Sequence, residues 1–366
     1  MQKKLFTIRV SLIAGVIGML FSGHATAQDY NEVLDYFFLG RQPSAKAEAM
    51  GKAMVATEND AFSSFYNPAA INKNQGLTAS TSYATPYYAA KDAYYLFTGV
   101  TNNWGTRSAF GLSIFHFSFG TPITITNETN PNLVGTGITP TVSMYTLTLA
   151  TRLIHNVHAG INWSYIRDKS NYDGRTFPRD IGLFETLHFG ENQELNFGAS
   201  LYNFSNANLK YTIFDQYEID EAVPQALHLG TSYQLNWGTS TFNYKTIKTY
   251  GIAWHVEYVD LLNSAYHSGF RTGAEFSFME MFAMRVGYYK EDRNDYGYPE
   301  SNKDNMSDFT YGIGISLPIE GLVDPKSTLK AKLDLVKMKQ PTATKNFDNW
   351  DNFSVYNLSL NWRLKN

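Results

Sequence analysis

The side chains most able to do chemistry in this chain are Glu257, Arg271, Glu275 and Arg285, with His158, His228, His255, Lys330, Lys332 and Asp334 in the same kind of setting. Each stands between apolar neighbours in a short run that alternates polar with apolar. Glu257, Arg271, Glu275 and Arg285 fall on three consecutive runs and are in register to form one charge network. Such a network could act as a polar gate or ligand contact. The plainer reading is that charges withdrawn from water must be paired whatever they do. No G-x-S-x-G, H-E-x-x-H, P-loop or G-x-G-x-x-G occurs, so the sequence assigns no catalytic residue, no cofactor and no metal ligand. The acidic stretch Glu291, Asp292, Asp295, Glu300, Asp304 matches no EF-hand spacing and reads as a solvated loop.

Composition limits what could position these groups. The chain has 366 residues, 30 Lys+Arg against 33 Asp+Glu, a net charge of −3 and no Cys. Thiolate zinc sites, disulfide frameworks and a basic nucleic-acid binder are thereby excluded. Aromatic residues make up 15% of the chain and charged ones only 17%, yet the mean hydropathy is −0.30. That value rules out a bundle of membrane helices, each of which needs about 20 consecutive apolar residues. A barrel whose strands hide their hydrophobicity by alternating it fits both facts.

The first 27 residues read as a secretory signal, domain 1–27. Lys3, Lys4 and Arg9 precede an apolar run from Val10 to Phe21, and Ala25-Thr26-Ala27 ends it with a small-x-small cleavage site. Gln28 stands where a lipoprotein would need Cys. Export is expected, to the periplasm, the outer membrane or the medium.

From Leu77 onward the period is two. Val157, Ala159, Ile161, Trp163 and Tyr165 share one face of a run, and Ile252, Trp254, Val256 and Tyr258 share that of another. The last run places Tyr356, Leu358, Leu360, Trp362 and Leu364 on one side and Asn357, Ser359, Asn361 and Arg363 on the other. Fourteen such segments lie between 77–83 and 354–364. Connections alternate in length: 8, 21, 11, 22, 10, 19 and 16 residues on one side, and 4, 3, 5, 14, 3 and 11 on the other. Bacterial outer-membrane barrels pair long outer loops with short periplasmic turns in this way. The fold class is therefore all-β, a 14-stranded antiparallel transmembrane β-barrel over 77–366, with both termini periplasmic. Apolar faces then meet outer-membrane lipid, and the charged faces meet the lumen. Tyr83, Tyr94, Tyr145, Trp163, Tyr165, Tyr288 and Trp362 read as interfacial girdles. The 14-residue connection before Tyr250 is the exception to the parity.

Residues 28–76 do not alternate. Ser44 to Thr57 reads as a short helix capped by Ser44 and broken at Gly51, and Asn67-Pro68 as a turn. An apolar segment of this length ahead of a barrel belongs in the lumen, as a plug or hatch.

The stretch from Pro43 to Ala70, PSAKAEAMGKAMVATENDAFSSFYNPAA, resembles the N-terminal signature of PorV and PorQ proteins, a branch of the FadL-like outer-membrane barrels associated with type IX secretion. The matching positions are Ser44, Ala45, Ala47, Ala49, Met50, Gly51, Ala53, Val55, Ala56, Asp60, Ala61, Ser63, Asn67, Pro68 and Ala69. Lys46 stands where Arg is usual and Tyr66 where Trp is common. The resemblance implies a fourteen-stranded barrel, a hatch and no enzymatic activity. It implies one of two roles: an accessory that binds a secretion translocon and its cargo proteins through the outer loops, or a FadL-like conduit for small hydrophobic compounds.

Overall fold

The computed structural model describes residues 42–57, 60–74, 76–85, 92–104, 107–120, 122–124, 137–169, 173–213, 217–242, 245–262, 268–291, 306–318, 328–338 and 353–362. The proposed signal segment, residues 28–41 of the proposed hatch segment, Arg363, Leu364 and the acidic residues Asp292, Asp295, Glu300 and Asp304 lie outside them.

Fourteen antiparallel strands form the wall: β1 Leu77–Thr85, β2 Tyr94–Trp104, β3 Ser108–Ser118, β4 Thr141–Ile154, β5 Val157–Asp168, β6 Arg179–Phe189, β7 Gln193–Leu201, β8 Ala226–Phe242, β9 Lys245–Leu261, β10 Gly269–Phe278, β11 Phe282–Glu291, β12 Met306–Pro318, β13 Leu329–Met338 and β14 Phe353–Trp362. Each pairs with the next, and β14 returns to β1 with Leu77 opposite Trp362, so the sheet closes and leaves no edge. Both ends of the wall lie at the rim where the turns are short.

Alternation sorts the side chains as hydrocarbon requires. Trp254 is 59% exposed and Phe309 76%, while their strand neighbours His255 and Thr310 are buried. Outward aromatics stack near both rims: Tyr145 on Tyr165 and Tyr83 against Tyr94 at the long-loop rim, Trp237 on Tyr250 at the other. These positions suit aromatic rings at a membrane interface.

The connection before Tyr250 is a correction to the sequence reading. Strands β8 and β9, 17 residues each, continue past the Trp237–Tyr250 stack as one hairpin paired from Ala226–Leu261 to Phe242–Lys245. Beyond that stack the hairpin is mostly polar because it extends past the apolar belt, not because pairing stops. With it counted as strand, five of the six connections at that rim are two or three residues long. At the opposite rim a second hairpin, Asn208–Ile213 with Tyr217–Ala222, rises within the connection from β7 to β8 and pairs with a short strand Gly174–Thr176.

A barrel of fourteen strands is too wide for its own side chains to fill. Residues 42–57 and 60–74 occupy the interior as helix α1 Ala45–Ala49, helix α2 Ser63–Tyr66 and a 3-10 helix Pro68–Lys73. Toward the long-loop rim, hatch residues Phe62, Phe65 and Tyr66 pack with wall residues Tyr95, Phe97, Phe115 and Phe117 in one buried apolar cluster. Toward the short-turn rim the lumen is polar.

Candidate functional site

The hatch meets the wall backbone to backbone. Along β5, β6, β7, β10, β11 and β12, inward-facing glycines leave room for it. A Cβ at Gly160 would sit 2.4 Å from Ala69 N, at Gly198 2.1 Å from Val55 O, and at Gly287 2.1 Å from Gly51 N. Side chains of the wall then complete the hatch's hydrogen bonds. The Gly51 N–H donates to Thr310 Oγ1 at 3.0 Å, and that hydroxyl donates to Ala49 O at 3.0 Å. Gly51 itself has φ +61, the left-handed conformation that ends α1, and its Cα face abuts the β10 and β11 backbone.

Each hatch position singled out in the sequence is buried and has a local task. Ser44 Oγ accepts the Ala47 N–H at 3.4 Å as N-cap of α1 and receives Asn357 Nδ2 at 3.3 Å from the wall. Ala45 and Met50 are fully buried, Met50 against Gly273. Asp60 Oδ1 accepts the Phe62 N–H at 3.0 Å, and burial pushes its carboxyl above the ordinary carboxylate range. Asn67 is more than a turn residue. Its Oδ1 caps the 3-10 helix that Pro68 begins, accepting Ala69 N–H at 3.0 Å, while its Nδ2 donates to Val55 O at 3.0 Å and to the wall carbonyl of Leu183 at 2.9 Å.

The four wall charges do not form one network. Glu257 and Arg271 belong to a cluster nearer the long-loop rim, where Glu257 contacts Arg271 at 3.4 Å and His228 Nδ1 at 2.8 Å. Arg271 also reaches Glu291 at 3.1 Å, and Glu291 binds Lys52 of the hatch at 3.2 Å. Glu275 and Arg285 belong to a second cluster nearer the short turns: Arg285 bridges Glu275 at 2.6 Å and Asp334 at 2.7 Å, with Lys332 on Asp334 at 3.3 Å and hatch Lys46 on Glu275 at 3.7 Å. Among the described residues no ion pair joins the two. The reason is depth. Arg271 and Glu275 are four residues apart on β10, with the inward-facing Gly273 between them, enough for each to find a nearer partner. Each cluster holds one hatch lysine, Lys52 or Lys46, and burial lowers the Lys46 pKa.

A family model described as type IX secretion system protein PorV matches residues 28–235, more than half of the chain. The chain belongs to the PorV family. Among solved structures, a Pseudomonas aeruginosa FadL homologue is similar at 10% identity, with 89% of this chain and 99% of that one covered and a TM-score of 0.48. The Ralstonia pickettii toluene transporter TbuX is similar at 11% identity, with 89% and 98% covered and a TM-score of 0.44. No curated protein matches. This PorV-family chain is thus an outer-membrane β-barrel associated with type IX secretion.

Three participants escaped the sequence reading. Glu291, read as part of a solvated loop, is the last residue of β11 and turns inward to Arg271 and Lys52. Lys46 and Lys52 belong to a segment with no period to assign them a face. The glycines carried a signal, since Gly160, Gly230, Gly273 and Gly312 stand on the inward faces, but their neighbour across the lumen is set by tertiary structure alone.

Proposed function

We propose that this protein is a PorV-type accessory of protein export or surface attachment, which binds a secretion translocon or its cargo proteins through the long loops and passes no solute. The supporting observation is the occupied lumen. Hatch backbone lies against wall backbone at the inward glycines, and wall side chains from Glu257, Thr310, Ser232 and Tyr202 bond it directly. A barrel plugged in this manner can still present its loops. The 24-residue connection between β7 and β8 carries its own hairpin, whose Glu218 and Asp220 are exposed. The orientation is that of the short turns and both chain ends toward the periplasm.

The alternative is a conduit for hydrophobic compounds, in keeping with the toluene transporter TbuX among the similar solved structures. It requires an apolar passage. The apolar half of this lumen is occupied by packed rings, Phe65 against Phe115 at 5.5 Å and Phe62 against Phe97 at 4.9 Å, and the cavity at the short-turn rim is lined mostly by polar and charged residues.

The test is a mild-detergent pull-down of the tagged full-length protein from native membranes. Co-purification of a much larger membrane protein, lost on excision of the 208–222 hairpin, is expected; recovery of the barrel alone would count against the proposal.

A further inference from the structure

On the lipid-facing side of the wall, a row of polar side chains overlies the aromatic stack at the long-loop rim. The stack runs from Tyr145 to Tyr165 and on to Phe177, which lies 5.1 Å from Tyr165. Residues two apart on a strand share a face, as do residues directly opposed on neighbouring strands. Arg167, two residues beyond Tyr165 on β5, therefore points outward. It stands opposite Ser143 on β4 and opposite Arg175 of the Gly174–Thr176 strand. Ser143 in turn stands opposite His116 on β3, and Arg175 opposite Lys210 of the 208–222 hairpin. One step from the rings toward the loops, His116, Ser143, Arg167, Arg175 and Lys210 thus form a continuous register row across five strands.

The row is ordered and open. Asp173 binds Arg167 through both carboxylate oxygens, at 2.8 and 2.6 Å, and Arg175 through one of them at 3.2 Å, so a single carboxylate holds two guanidinium groups side by side. Those two arginine side chains remain 36% and 58% exposed. Lys210 is exposed and makes no ion pair among the described residues, although Asp220 stands opposite it on the hairpin. Arg179, opposite Trp163 on the same outward face, is exposed, as is Lys169 just past the end of β5. These five cations face three carboxylates, Asp173 with Glu218 and Asp220, and the last two stand on the far strand of the hairpin.

Height on the wall says what covers this surface. The aromatic rings mark the level of the membrane interface, so side chains one step beyond them lie among lipid headgroups, and below them Leu147, Leu149 and Trp163 are exposed to hydrocarbon. We infer that the row binds the phosphate headgroup of a membrane lipid in the leaflet at the long-loop rim, which is the outer leaflet in the orientation proposed above. Arg167 and Arg175 turn planar donor forks to the phosphate oxygens, the geometry that suits arginine to this group. Lys210 adds a mobile charge beside them. Ser143 and His116, bonded to each other at 2.8 Å, extend the polar surface for the rest of the headgroup, and the acyl chains run down over Leu147, Leu149 and Trp163.

The experiment is native mass spectrometry of the folded full-length protein released from micelles, titrated with dioleoyl phosphatidic acid, dioleoyl phosphatidylglycerol and, as the uncharged control, digalactosyl diacylglycerol. Each titration is repeated with millimolar inorganic phosphate. Saturable binding of a phospholipid at least tenfold tighter than that of the galactolipid is expected, and the tighter phospholipid identifies the preferred ester. The pair Arg167→Gln and Arg175→Gln should weaken it about tenfold, as should Lys210→Gln alone, each amounting to the loss of a hydrogen bond to a charged group. Lys248→Gln, at the opposite rim, should leave it unchanged. All variants are verified as folded by faster migration when unboiled. Equal binding of phospholipid and galactolipid, unchanged affinity in the folded row variants, or displacement of the phospholipid by inorganic phosphate, which would mark a site for the free ion, would overturn the inference. A micelle exposes both rims alike, so the outcome is independent of the orientation and of the export role.

Discussion

The carboxylate of Glu257, on β9, accepts the backbone N–H of Met54 at 2.7 Å, joining wall to hatch across 203 residues of sequence. The same oxygen accepts Val55 N–H at 2.8 Å, and the other oxygen takes His228 and Arg271. Four donors converge on one buried side chain. Glu257→Ala takes this acceptor from Met54 N–H, Val55 N–H and His228 and leaves Arg271 with Glu291, and removing one member of a buried charged set typically costs about 3 to 5 kcal/mol. The expected outcome is a barrel that still migrates faster unboiled but whose residues near Met54 become cleavable by added protease. Glu257→Gln, which retains an acceptor for the two backbone N–H groups, should be cleaved more slowly than Glu257→Ala. Equal resistance of Glu257→Ala and wild type would show that the hatch does not depend on this contact.

Gly287→Ala places a methyl group 2.1 Å from Gly51 N and 2.4 Å from Met50 C, both backbone atoms that cannot rotate away. Overpacking of this kind costs about 1 to 3 kcal/mol or more, and it acts on the hatch rather than on strand pairing. Gly269→Ala is the control, since its Cβ would meet nothing closer than 3.4 Å. Limited proteolysis should release hatch fragments from the first variant and none from the second.

Outward and inward positions should answer differently to charge. Ile313, 50% exposed on β12, points to lipid, so Ile313→Arg should lower stability by about 2 to 4 kcal/mol if it lies near the midplane. Urea titration in lipid vesicles measures this. A loss below about 0.5 kcal/mol, the range of ordinary surface substitutions, would mean that Ile313 does not face hydrocarbon.

Asp60 gives the structure a pH dependence of known sign. Burial raises its carboxyl above 3.8, so the folded state binds the proton more tightly than the unfolded one. Its contribution is therefore most favourable below pH 3.8 and is lost as pH rises through the folded value. Asp60→Asn keeps an acceptor for Phe62 N–H and removes the charge. The variant should be more stable than wild type at neutral pH, with the difference shrinking toward acid. A difference that grew toward acid would reverse the sign of the argument.

How much of this was legible in the sequence depended on whether a residue's partner lay on a repeating element. Tyr356, Leu358 and Leu360 declared their face because period two leaves no other choice, and the closed fourteen-strand wall expected from that pattern is the one observed. Arg285 could be placed inside but not paired, because the choice between Glu257 and Glu275 depends on strand offset. It contacts Glu275, directly across on β10, and Asp334 two strands away. Lys46 and Lys52 had no period to betray them. The mostly polar end of the β8–β9 hairpin misled for the opposite reason. Its alternation carries no continuous apolar face because that part of the hairpin has left the membrane belt, and strand pairing needs only backbone.

The central claim is that the hatch closes the lumen, and planar-bilayer recording of the full-length protein tests it most directly. Wild type should insert without a lasting ohmic conductance, while Gly287→Ala or Glu257→Ala, which unseat the hatch, should open one. A steady, long-lived conductance from wild-type barrels, no smaller than that of the two variants, would contradict the account.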